Sequence, residues 1–171
     1  MMQRQFLRAA LALALAVSVP HRTIEARQAP AGAALVIGGD VKEPLSISPA
    51  DLKTMPRTRV EVKDEGRTVA YEGVLLADLL KKAGAPLGGE LRGNAVASYV
   101  VASASDGYQV LFSLAEIDPD FTSNSVIVAD TVDGKPLLDH QGPLRIVSPK
   151  DSRATRAIRM LQKIELVRLR K

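Results

Sequence analysis

Residues 152–160 read Ser-Arg-Ala-Thr-Arg-Ala-Ile-Arg-Met and place an arginine at every third position: Arg153, Arg156 and Arg159. Guanidiniums grouped on one face can hold phosphate or sulfate through forked hydrogen bonds. The same spacing also makes the wet side of an amphipathic turn, with Ala154, Ile158 and Leu161 toward the core. Spacing alone favours the wet side, because runs of charge usually face solvent. Arg145 stands apart from these three. It interrupts the apolar run Leu144-Arg145-Ile146-Val147, and alternation along a strand turns it away from Leu144 and Ile146, into solvent or a cleft. His140, beside Asp139, is the single histidine beyond the N-terminal stretch. A lone histidine next to a turn is commonly an ordinary hydrogen-bonding residue.

Other chemistry is poorly served. The chain contains no cysteine, which removes a thiolate nucleophile, a sulfur-ligated metal, a disulfide and a lipid-anchored cysteine. There is no G-x-S-x-G, no P-loop and no G-x-G-x-x-G; Gly84 and Gly88-Gly89 have the wrong spacing for the last. Asp139-His140 beside a serine would imitate a hydrolytic triad, but adjacent side chains usually point apart and no nucleophile elbow exists. One histidine and scattered acids propose no metal site.

The elements that must position these residues are short and mostly extended. Leu35–Ile37 and Leu45–Ile47 read as strands, and Ser48-Pro49-Ala50-Asp51 starts a brief helix that Pro56 stops. Val60–Val62 and Thr68–Tyr71 flank a turn at Asp64-Glu65-Gly66. Leu76, Leu79, Leu80 and Ala83 form one apolar helix face, with Lys81 and Lys82 in the last turn and Gly84 as the stop. Ala95–Ala104 and Tyr108–Phe112 make a hairpin about Asp106-Gly107, and Ser113–Glu116 is a capping box opening a brief helix that Pro119 closes. Val126–Val128, Leu144–Val147 and Ile164–Leu169 complete the strands, with Asp133-Gly134 as another turn. This order predicts an α+β domain of mainly antiparallel, mixed β-sheet with short helices, not βαβ repetition.

The N-terminal stretch reads as a leader. Arg4 and Arg8 precede the small and apolar run Ala9–Val19, which is too short to span a bilayer and suits a signal-peptide core. Residues 20–33 are a Pro/Ala-rich connector. The expected organisation is signal peptide and connector over 1–29, one domain over 33–171, a general secretory route, and a periplasmic or secreted location without a transmembrane segment in the mature chain. Outside residues 1–29 the balance is 19 basic to 18 acidic residues, so no global basic field suggests nucleic acid. Three Tyr, three Phe and no Trp leave no stacking platform for bases.

Four segments in order carry a family resemblance: Tyr71-Glu72-Gly73-Val74 with Leu79-Leu80, Ser105-Asp106-Gly107-Tyr108 with Ser113-Leu114, Asp133-Gly134-Lys135-Pro136-Leu137, and His140-x-Gly142-Pro143-Leu144-Arg145 running to Pro149. Over about residues 35–170 the chain resembles the oxidoreductase molybdopterin-binding domain of sulfite-oxidase-type proteins. The resemblance implies that fold and a cleft for a pterin cofactor, with His140, Pro143 and Arg145 matching the family's cofactor-holding stretch. Gly142 is displaced by one position, no glycine follows it, and Arg159-Met160 stand where a Lys-Trp pair is expected. The resemblance moves Arg159 and Arg156 toward the cleft and leaves Arg153 in solvent.

The family's molybdenum-ligating cysteine, expected near Val60–Val62, is missing, as is a twin-arginine pair in the leader. Two readings follow. The first is a non-catalytic exported domain whose cleft of His140, Arg145, Arg156 and Arg159 binds a small anion, a pterin-like ligand or a partner protein. The second is a molybdopterin-dependent oxidoreductase, or a subunit of one, with an oxygen ligand from Ser or Asp replacing the cysteine.

Overall fold

Alternation of apolar and polar residues builds the strands, and capping side chains punctuate them. The computed structural model describes residues 35–64, 66–138 and 140–169; the leader and connector expected over 1–29 lie outside these. The first sheet comprises β1 (Leu35–Gly39), β2 (Leu45–Ile47), β5 (Tyr99–Ala104), β6 (Gln109–Ser113) and β10 (Leu161–Val167). Their order is β2-β1-β10-β5-β6, antiparallel except for the parallel pair β1–β10. The second sheet is β3 (Thr58–Asp64), β4 (Arg67–Leu75), β7 (Ile127–Val132) and β8 (Lys135–Pro136) in that order, with β9 (Arg145–Val147) also paired to β7. All its pairs are antiparallel.

Two short α-helices join them. Helix α1 (Pro49–Thr54) carries the full capping box, Ser48 accepting from the Asp51 amide and Asp51 accepting from the Ser48 amide. Helix α2 (Leu76–Lys82) follows β4 directly and buries Leu76, Ala77, Leu79 and Leu80. Ser113 and Glu116 form the second capping box, over a single 3₁₀ turn at Leu114–Glu116.

The main core packs α2 against the inward residues of both sheets: Leu35, Ile37, Val100, Phe112, Ile164 and Leu166 from the first, Val74, Val128 and Ile146 from the second. The second sheet has a further core on its other face, made by Val60, Val69, Tyr71, Ile127, Ala129 and Val147. The two-residue period of a strand explains this division. In β7 and β9, Val128 and Ile146 point inward, while Ile127, Ala129, Arg145 and Val147 point to the other face. At a register shift in β4, Gly73 lies opposite Ala129, and a Cβ there would meet the Val128 carbonyl oxygen at 2.0 Å. Only glycine lets the strands approach so closely.

Two expectations are corrected. The strand expected from Ala95 begins at Tyr99; Gly93–Ala97 forms a 3₁₀ turn instead. Gly93 has φ +58, Val96 is 42% exposed and only Ala95 packs partly against the core, too little to hold a strand in register. The stretch after Pro149 is also not one apolar face. A single 3₁₀ turn covers Ala154–Arg156, and β10 begins at Leu161. The backbone here is claimed by the strand end: the Ile146 amide donates to the Ile158 carbonyl and the Leu161 amide to the Leu144 carbonyl, both at 2.9 Å.

Candidate functional site

The second face of the second sheet carries a cavity of about 370 Å³. Glu61, Val62 and Lys63 of β3, Tyr71 of β4, and Arg145 and Val147 of β9 line it on the sheet side. The loop after β9 closes it with Ser148, Pro149, Asp151, Ser152, Arg153, Ala154 and Ala157. Its size suits a small ligand. A wider cleft of about 570 Å³ along Ile117–Ser125 has no lysine or arginine in its lining.

Arg145 is the organising cation. It is 4% exposed, in a strand whose other residues are fully apolar. Its register partner is Ala129, whose small side chain leaves room for the guanidinium. One Nη1 donates to the Tyr71 hydroxyl at 2.8 Å and to Gln141 Oε1 at 3.0 Å, and the guanidinium carbon sits 4.6 Å from the Tyr71 ring centre. Burying a cation is costly unless its donors are placed, and these contacts fix where the group points.

The loop wall is fastened from several directions. Ser148 donates to Asp151 at 2.9 Å and accepts from Asn124 at 3.0 Å. The Lys150 amide donates to Asn124, the Lys150 ammonium to the Ser123 hydroxyl, and the Tyr108 hydroxyl to the Thr155 carbonyl at 2.9 Å. Arg156 makes the most contacts. Its Nε and Nη2 fork onto Asp151 at 2.9 and 2.8 Å, its Nη1 reaches Glu116 at 2.9 Å, and its guanidinium lies 4.5 Å over the Phe112 ring. Burial opposes the charge on Asp151, but the hydrogen bonds from Arg156 and Ser148 outweigh it and hold the carboxyl below its ordinary range. Burial likewise opposes the charge on Glu116, and the Ser113 amide together with Arg156 outweighs it. The hydrogen bond to Asp151 in turn pushes Arg156 above its usual value.

The four arginine and histidine positions expected to share a cleft do not converge. Arg145 lines the cavity. Arg156 is turned outward, onto Asp151, Glu116 and Phe112, because two carboxylates and a ring offer it a closed set of partners. Arg159 is exposed and outside the lining. His140 is also exposed and outside the lining; its Nε2 lies 3.5 Å from the Gln141 amide nitrogen, and Gln141 supports Arg145. Arg153, expected in solvent, is exposed but lines the cavity rim. Lys63, Tyr71, Gln141 and Ser152 had no sequence signal of their own beyond membership of a strand, a family segment or a loop.

The lining suits an anionic ligand with a flat or apolar part: Lys63, Arg145 and Arg153 supply three positive charges against the carboxylates of Glu61 and Asp151, the latter paired with Arg156, Ser152 supplies a hydroxyl, and Val62, Val147 and Ala157 an apolar surface. It does not suit a molybdenum centre held by protein sulfur, since the sequence has no cysteine. Its oxygen donors at Ser148 and Asp151 are engaged with Asn124 and Arg156. Among the described residues, no three His, Cys, Asp or Glu side chains gather as a metal-holding group.

A family model described as the oxidoreductase molybdopterin binding domain matches residues 21–171. Among solved structures, the crystal structure of the sulfane dehydrogenase SoxCD from Paracoccus pantotrophus is similar, with a TM-score of 0.59 at 21% identity. The match covers 77% of this chain and 37% of that one, so this chain spans little more than a third of that chain's length. No curated protein matches the sequence.

Proposed function

The chain belongs to the oxidoreductase molybdopterin-binding domain family, and from that premise we propose that its cavity binds a small anionic or pterin-like ligand without redox turnover. The observation that carries this reading is the buried Arg145, anchored by Tyr71 and Gln141 at the wall of a 370 Å³ cavity whose lining includes Lys63 and Arg153. A cation held this way has already met its ordering cost, so an incoming oxyanion gains charge-assisted hydrogen bonds at little further entropy. An acidic loop of a partner protein would use the same groups. The missing sulfur ligand supports binding without catalysis.

Titration of the domain with sulfate, phosphate and a reduced pterin, followed by calorimetry and amide NMR shifts, tests this. Saturable binding that Arg145→Met abolishes is expected. Flat titrations with all three probes would sink the proposal. The second reading, a molybdopterin-dependent oxidoreductase with an oxygen ligand from Ser or Asp, draws on Ser152, which lines the same cavity. Metal analysis after expression in a host that makes the cofactor separates the two. One molybdenum per chain would replace the binder by the oxidoreductase.

We also propose export by the general secretory route, to a periplasmic or secreted location, on the leader pattern of residues 1–19. A mature N-terminus within residues 16–34 in an extracytoplasmic fraction is the expected result. An intact Met1 in an intracellular fraction would refute it.

A further inference from the structure

We infer that Arg156, which does not line the cavity, governs how tightly the cavity holds an anion, by neutralising the Asp151 carboxylate in its wall. The inference rests on the reading of the cavity as an anion site.

Asp151 lines the cavity together with Glu61, Lys63, Arg145 and Arg153; Glu61 is largely exposed beside Arg59, whereas a free carboxylate at the half-buried Asp151 would oppose any anion these cations attract. It is not free. Arg156 approaches from outside the cavity and forks onto both Asp151 oxygens, while Ser148 donates to one of them. The charge that would repel the ligand is thereby spent on an arginine that the ligand does not meet. Two further contacts keep Arg156 in that place. Glu116, in the turn after β6, takes its remaining Nη1, and the Phe112 ring lies beneath its guanidinium. The Asp151 side chain is only 16% exposed, so water screens the arrangement weakly. Arg156 is therefore a positioning residue acting through Asp151.

A role in holding the loop and a role in neutralising charge make different predictions, and sulfate separates them because it stays doubly charged across the relevant pH. Arg156→Gln leaves an uncompensated carboxylate in the wall, and sulfate affinity should fall about tenfold. Adding Asp151→Asn removes that charge while keeping an acceptor for Ser148. The double variant should bind within about threefold of the unsubstituted protein. In the single variant alone, affinity should recover as pH falls from about 7 to about 4, when Asp151 takes up a proton. The other groups around Asp151 are Arg153 on its own loop, Glu61 and Lys63 of β3, Arg145 of β9, and Glu116. Both variants lack Arg156 and share these groups, so the difference between the pH profiles of the single and the double variant reads Asp151.

NMR titration with sulfate, with amide exchange of residues 151–157 as a check on the loop, decides the matter. Unchanged affinity in Arg156→Gln overturns the inference alone. So does a double variant that binds no better than the single one, since that outcome assigns the effect to loop order. A sulfate titration that is flat in the unsubstituted protein overturns the anion-site reading and this inference together.

Discussion

Two arginines, each lying over an aromatic ring, sit on opposite sides of the loop after β9. Arg145 stands 4.6 Å from the Tyr71 ring centre on the cavity side; Arg156 stands 4.5 Å from that of Phe112 on the outer side. The rings hold them alike, but their hydrogen-bond acceptors differ. Arg145 donates to a hydroxyl and an amide oxygen, whereas Arg156 donates to two carboxylates. A guanidinium whose fork is filled by carboxylates, as in Arg156, is a structural tie, while Arg145 is set at the wall of the cavity. Position relative to the sheet explains the assignment. Arg145 projects from a strand onto the second core, and Arg156 leaves a one-turn helix that faces the β5–β6 hairpin.

Breaking the comparison at the outer ring should have the largest effect. Phe112 is fully buried in the main core as well as supporting Arg156. Phe112→Ala is expected to cost about 4 kcal/mol in chemical denaturation. On the cavity side, Arg145→Met removes the anchored cation but keeps an apolar stem against Tyr71. We expect about 2 kcal/mol of lost stability from the stranded polar partners, together with loss of sulfate binding. Smaller again is Tyr71→Phe, which keeps the ring and removes only the hydroxyl that accepts from Arg145. About 1 kcal/mol is expected, with weakened ligand binding rather than its loss. If Tyr71→Phe proved as damaging as Phe112→Ala, the two rings would not have the distinct roles drawn here.

Acid sharpens the same contrast with the smallest effect. Asp151 and Glu116 sit below their ordinary values in the folded protein, against the opposing effect of burial. The stability they contribute is fully present above the unfolded carboxylate range of about pH 4 and is lost as pH falls through their depressed folded values. Asp130, held by Arg57 at 2.9 and 2.5 Å against the cost of its burial, behaves the same way on the second sheet. Thermal melting between about pH 6 and pH 2 should therefore show a decline that Arg156→Gln reduces but does not abolish. An equal decline in both proteins would mean that the outer tie contributes nothing to the acid response.

Much of the frame is legible in the sequence because local chemistry states it. Ser48 with Asp51 and Ser113 with Glu116 are both capping boxes by spacing and by geometry. The helix face of Leu76, Leu79, Leu80 and Ala83 is buried as its period requires, and Asp106-Gly107 and Asp133-Gly134 turn the chain between paired strands. Arg145 was legible as a site residue because a charge in an apolar strand needs a reason. The segment after Pro149 was not. Ile158 and Leu161 are buried as a helical period would have them, yet their backbones pair with Ile146 and Leu144, a long-range choice that spacing does not record. Equal spacing likewise hid unequal roles: Arg153 reaches the cavity, Arg156 ties the loop, and Arg159 faces solvent. The cavity's sheet side draws on three strands whose pairing is set only in three dimensions, so Lys63 and Tyr71 carried no local mark as site residues.

The parallel pairing of β1 with β10 has a consequence for timing. In the order β2-β1-β10-β5-β6, β10 is the only link between the strands that begin the described chain and the β5–β6 hairpin. Ile37 and Gly39 reach their strand partners Ile164 and Leu166 only after nearly everything between has been synthesised. The first sheet therefore closes late, through contacts of long separation. Loss of the segment from Leu161 onward would leave the first sheet in two pieces, so even a short C-terminal deletion should yield an insoluble product.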